Sequence, residues 1–191
     1  MTQRIWHRCF GLALLVFIAA HLVNHTMLAF GAQAHIDMME RLRAVYQHPL
    51  VESVLIVGLG VQIVLGLRLI RARGKPDSAW GWAQVLSGAY LLFFLVQHVP
   101  TVLLTRAFTD TDTNVYFAAA VVSELPLVLY FAPYYTLAVT AVFTHLAAAL
   151  RFAFWPRPMH GSWALPLGGF VFGLWITLAL MDIPLPAAYQ G

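Results

Sequence analysis

The chain has 191 residues, 61% of them hydrophobic and 10% charged, with mean hydropathy +0.76 and formal net charge +3. A soluble domain is normally about one quarter charged, so the composition requires an integral membrane protein and leaves no length for a separate soluble domain. The single cysteine, Cys9, excludes an internal disulfide and any cysteine-rich metal site. The basic residues flank apolar runs rather than forming a patch, so nucleic acid is not an expected partner.

The first apolar run, Cys9–Phe30, follows Arg4 and Arg8 and holds 22 residues without Asp, Glu, Lys or Arg. A signal-peptide core has only about 7–15 apolar residues, whereas about 20 cross a bilayer, so this run reads as a first span. Four more follow: Leu50–Ile70, Trp82–Thr105, Leu127–Leu150 and Trp163–Ile183. Backbone polar groups in hydrocarbon must be satisfied within the segment, which makes runs of this length helices. The fold expected is all-α, one integral membrane bundle of five transmembrane helices over 1–191. Pro100, Pro133 and Pro166 are expected to kink or start their helices. Pro49 suits the first position of the second span, with Glu52 in its first turn. Asn114–Val122 reads as a short interfacial helix.

Orientation follows from the basic residues. With the N-terminus cytoplasmic, the inner segments hold Arg4, Arg8, Arg68, Arg71, Arg73, Lys75, Arg151 and Arg157, and the outer ones only Arg41, Arg43 and Arg106. The C-terminus then lies outside, as in a bacterial cytoplasmic membrane. Trp82, Trp155, Trp163, Tyr46 and Tyr116 fall near span ends.

Three histidines, His21, His98 and His145, lie within spans, as does Gln62. Ionisable groups in hydrocarbon are costly and usually face a bundle interior, and imidazoles on facing helices are one way a bundle holds a cofactor. At about 1.5 Å per residue, His21 and His98 lie roughly 20 and 24 Å above the cytoplasmic edge, and Gln62 and His145 roughly 9 Å above it. The outer tier, His21 with His98, has the chemistry for a six-coordinate b-type haem. Thr101 and Asn24 are candidates to fix the ring tautomers, and Arg41, Arg43 or Arg106 to neutralise propionates. His25 sits one turn above His21 on the same face, so either can be the ligand. A His-x3-His pair also suits zinc, given further ligands. For the inner tier three readings fit: a Gln62–His145 hydrogen bond between helices packed through small residues (Gly58, Gly66, Ala141, Ala149), a five-coordinate haem on His145, or a quinone held by both. His7, His35, His48 and His160 are expected at the interface or in solvent.

These motifs, in order, resemble the five-helix, two-haem cytochrome b anchor subunit of succinate dehydrogenases and fumarate reductases. The likeness covers nearly the whole chain: Arg4-x-x-His7-x-x-x-Gly11 opening the first span, His21-Leu22-Val23, Gln62-Ile63-Val64-Leu65-Gly66 in place of a His-x-x-x-Gly, Ser87-Gly88 followed by His98, and Thr144-His145. The resemblance implies an outer haem on His21 and His98, an inner haem between position 62 and His145, a quinone, and cytoplasmic iron–sulfur and flavoprotein partners. The chain departs from the pattern at the inner site, where Gln62 replaces the histidine and Gln84-Val85 stands for the family's Gln-Arg. One outer haem is therefore the expectation. The rival expectations are a haem-free membrane anchor or assembly subunit and, more weakly, a small transporter or proton channel.

Overall fold

A computed structural model describes residues 2–154 and 163–190. Among the described residues the chain is all α, with seven helices, two 3₁₀ turns and no strand. Five segments are long and apolar enough to cross a membrane: Thr2–Phe30, Pro49–Arg73, Ala79–Phe108, Leu127–Phe154 and Ala164–Met181. The five-span reading of the sequence therefore holds. Four of the helices run past the apolar core into flanking polar residues, because helical hydrogen bonding does not stop where hydropathy does. Trp155, Arg157 and His160 lie outside the described residues.

The helices are α1 (Thr2–Thr26), α2 (Ala32–Tyr46), α3 (Pro49–Arg73), α4 (Ala79–Phe108), α5 (Val115–Ser123), α6 (Leu127–Phe154) and α7 (Ala164–Met181). Local chemistry sets several ends. Pro49 occupies the first turn of α3, with Glu52 beside it. The Ser78 side chain accepts the Gly81 N–H at 3.2 Å to cap α4, and Asn114 Oδ1 accepts the Tyr116 N–H at 2.9 Å to cap α5. Pro100 and Pro133 lie inside α4 and α6, and Pro166 lies in the first turn of α7.

Two compact units divide the chain, Met1–Lys75 and Pro76–Gly191. In the first, α1 packs on α3 and α2 packs on α1. The α1–α3 contacts pair Gly11 with Gln62 and Gly66 with His7, so the two helices run antiparallel. α2 occupies what the sequence reading left as an outer loop. Gly31, at φ 97°, makes the turn into it.

In the second unit, α6 packs against both α4 and α7, and α5 lies on α6 and α7. Val115, Ala119 and Val122 of α5 are buried, as a short helix tucked against two spans requires. The α6–α7 seam depends on Gly169, Gly173 and Thr177, spaced by four on one face. A Cβ on Gly173 would stand 2.6 Å from the Thr136 carbonyl oxygen and 3.0 Å from Val139 Cβ. Thr177 donates to the Gly173 carbonyl at 2.9 Å, so the Thr136 hydroxyl donates to Thr177 at 2.9 Å. Close approach of this kind is how helices associate in lipid, where burying an apolar face gains little. Replacing Gly173 with Ala should destabilise the detergent-solubilised protein by about 1–3 kcal/mol, the usual cost of overpacking. Gly168→Ala, at a position with open space around it, should be neutral or slightly stabilising. Equal melting temperatures for the two variants would refute this account of the seam.

Candidate functional site

The C-terminal end of α1 carries a cluster of rings in the first unit. His21 stacks on Phe17, one turn below, with centroids 6.0 Å apart and planes at 16°. Tyr46 of α2 meets Phe17 edge-on at 5.4 Å. His25 stands edge-on to His21 at 4.8 Å and lies 5.2 Å from the His35 ring. Asn24 Nδ2 donates to His35 Nε2 at 3.0 Å. With that nitrogen accepting, the proton in the 3.3 Å contact between His35 Nε2 and His25 Nδ1 belongs to His25. His35 therefore carries its own proton on Nδ1. That atom and Asn24 Oδ1 are buried without a hydrogen-bond partner among the described residues.

This corrects the reading of His35 as a solvated loop residue: it is only 4% exposed. The physical reason is α2, whose Ala32, His35, Met39, Leu42, Arg43 and Tyr46 recur at three- and four-residue spacing and are buried or half-buried. Asn24, expected beside His21, serves His35 instead. Burial, with smaller contributions from His21 and the Arg43 charge, lowers the His35 pKa to about 4.

The second unit holds His98 in a similar way. It stacks on Phe94, one turn earlier on α4, at 4.8 Å and 17°. Phe94 packs on Tyr134 at 4.6 Å, and the Tyr134 hydroxyl donates to the Phe94 carbonyl at 3.1 Å. Tyr90 donates to the Tyr134 carbonyl at 3.0 Å and Tyr130 to Gln97 Oε1 at 2.6 Å. Both outer-tier imidazoles thus rest on a phenylalanine four residues before them, a Phe-x-x-x-His module present once in each unit. The spacing is plain in the sequence, and reading histidines by depth alone misses it. Thr101, the expected tautomer partner of His98, is exposed.

The inner tier is arranged by glycines. Gln62 Nε2 donates to His7 Nε2 at 3.4 Å. The two residues interlock: Gln62 lies over Gly11, whose Cβ would come within 3.1 Å of its amide nitrogen, and His7 lies over Gly66 at 3.5 Å. His7, expected at the interface, is half-buried, and Gln62 Oε1 is buried without a hydrogen-bond partner among the described residues. On α6, His145 Nδ1 lies 3.2 Å from Ser87 Oγ of α4. Each of the two residues paired by depth in the sequence thus has a hydrogen-bond partner inside its own unit.

Of the candidate propionate partners, Arg41 and Arg106 are exposed, while Arg43 is mostly buried and pairs with Glu40 at 3.0 Å. Among the described residues no group of three or more His, Cys, Asp or Glu side chains is arranged to hold a metal ion, so the His21–His25 pair lacks the further ligands zinc needs. Near the N-terminal end of α4, Trp80 is buried, stacked on Trp163 at 4.3 Å and covered by the Arg151 guanidinium at 5.4 Å. Trp82, one of the five aromatic residues that fall near span ends in the sequence, is 42% exposed. Compared with protein-family models, curated proteins and solved structures, the chain matches none.

Because the folded state binds a proton at His35 more weakly than the unfolded chain, stability is full above the ordinary pKa of 6.5 and is lost as pH falls from there toward 4. The loss should approach 3 kcal/mol on the order-of-magnitude scale of about 1.4 kcal/mol per unit. Comparing His35→Gln with the parent in denaturant melts between pH 7.5 and 4 should show a flatter profile for the variant. Parallel profiles would refute the assignment.

Proposed function

We propose that this chain is a b-type cytochrome of a bacterial cytoplasmic membrane, N-terminus inside, passing electrons between a quinone pool and a partner as the succinate dehydrogenase and fumarate reductase anchors do. The observation that carries the reading is the repeated Phe-x-x-x-His module. His21 and His98 are the span histidines at the outer tier, and each is stacked at 16–17° on its own phenylalanine. A ring clamped in this way loses little further freedom on ligation, which is what an axial ligand needs. His21 rather than His25 is the ligand in this reading, because His21 has the phenylalanine stacking that His98 also has. Haem supplies the one-electron chemistry when bound. The chain supplies imidazoles, apolar insulation and, at the outer end, cations: Arg43 beside the histidine cluster, with Arg41 and Arg106 more exposed.

The residues fit one outer haem better than two. Haem iron takes His, Met, Cys or Tyr from proteins, and Gln62 is engaged with His7 instead, so a bis-histidine inner haem does not fit. The unpartnered Asn24 Oδ1 and His35 Nδ1–H offer an acceptor and a donor, which suits a quinol hydroxyl or a quinone carbonyl. The basic inner segments provide a face on which cytoplasmic iron–sulfur and flavoprotein subunits would dock. A second reading, a haem-free anchor or assembly subunit, draws on the interlocked His7–Gln62 pair, which shows that polar residues here also serve as interhelical glue.

Pyridine haemochrome analysis of the purified protein should give one haem b per chain. His98→Ala and His21→Ala should each abolish the low-spin reduced-minus-oxidised band, while His25→Ala should keep it. Absence of haem from the parent would sink this reading, and two haems per chain would overturn the account of Gln62.

A further inference from the structure

We propose that the first unit, at the end where α1 begins and α3 finishes, binds the headgroup of an anionic phospholipid through Arg4, Arg8, Arg68 and Arg71, with the acyl chains lying along exposed apolar stripes of the same two helices. The proposal needs neither haem nor a soluble partner.

The antiparallel pairing of α1 and α3 brings the four arginines together. His7 lies against Gly66, and Gln62 against Gly11. On that register Arg4 is level with Leu69 and Arg8 with Leu65, so Arg68 and Arg71 stand beside them. At about 1.5 Å per residue the four fall within roughly 9 Å of one another along the helix axes. All four are exposed, and none forms an ion pair among the described residues. The three acidic residues of this unit, Asp37, Glu40 and Glu52, lie on α2 and in the first turn of α3, at the opposite end. Guanidinium groups gathered at one level repel each other unless an anion lies among them, and their forked donors match the oxygens of a phosphodiester.

The surface next to the arginines identifies that anion as a lipid. On α1, Ile5, Cys9, Leu12 and Val16 are all exposed and recur at four- and three-residue spacing, which makes one stripe. Arg8 comes three residues after Ile5 and four before Leu12, so it shares their face. On α3 the exposed stripe of Val57, Gly60 and Val64 runs on into Arg68 and Arg71 at the same spacing. Each helix therefore offers an apolar track that ends in cations. Trp6, exposed between Arg4 and Arg8, is the kind of side chain that sits at headgroup level. A soluble acidic partner or a free anion would meet the charges but would leave the apolar tracks unused. A phospholipid uses both.

Native mass spectrometry of the delipidated full-length protein tests this. The protein is mixed with equal amounts of phosphatidylglycerol and phosphatidylcholine carrying the same acyl chains, and the lipid retained is read from the mass. The parent should retain phosphatidylglycerol in preference. Arg8→Gln, Arg68→Gln and Arg71→Gln should each lower that preference about fivefold, the factor that corresponds to about 1 kcal/mol per basic residue. Lysine at the same three positions should keep most of it. Melting in lipid-free detergent, unchanged in the variants, separates loss of binding from loss of fold. Glycerophosphoglycerol, the headgroup without chains, should not displace the lipid at equal concentration; displacement would overturn the assignment to a lipid. A parent that retains the two lipids equally, or glutamine variants with the parent's preference, would overturn the proposal and leave the arginines to a soluble acidic partner.

Discussion

Helices in hydrocarbon have no water to expel from between them, so their association depends on close approach and on polar groups that find each other. Most of this molecule follows from that constraint. Gly173 lets α7 reach the backbone of α6, Gly169 makes room for the Phe143 side chain, and the shared Thr136–Thr177 hydroxyl pair locks the contact. Gly11 and Gly66 do the same for α1 and α3, but there the space each glycine opens is filled by a polar side chain from the partner, Gln62 or His7. Gly88 receives an imidazole. At Gly11, Gly66, Gly88 and Gly173 a missing Cβ on one helix admits a polar side chain or a backbone carbonyl of the next, so the polar pairs and the small-residue pattern form a single system.

The spans were legible because hydropathy and length are properties of the segment alone. The five apolar runs need no partner to be recognised, and the caps at Ser78 and Asn114 are equally local. The pairing of polar residues was not legible in the same way. Counting residues from an arginine gives a height in the membrane but no direction around the helix axis. By that count Gln62 and His145 are expected at one height, yet Gln62 faces Gly11 and His7, which the same arithmetic left at the interface. The needed signal was a second periodicity: His7 with Gly11 and Gln62 with Gly66 are two polar–small pairs, each at i, i+4, that can interlock only in antiparallel helices.

α2 was missed for a different reason. Its hydropathy is low, with Asp37, Glu40, Arg41 and Arg43 scattered through it, and between two spans such a stretch reads as a loop. Its stripe from Ala32 through His35 and Met39 to Tyr46 was present in the spacing. The consequence is chemical as well as topological. A histidine expected in solvent becomes the hub between Asn24 and His25, and Tyr46 becomes the edge that steadies Phe17 beneath His21. The surroundings of the α1 C-terminal end are therefore defined by a segment that hydropathy cannot see.

The span histidines are placed by different contacts. His21 and His98 each stack on the phenylalanine one turn before them. His145 lies with Nδ1 3.2 Å from Ser87 Oγ and its ring edge over Gly88. Gln62 is held in the α1–α3 interface by His7. Replacing Gln62 with histidine would place an imidazole in the space over Gly11 that belongs to helix packing.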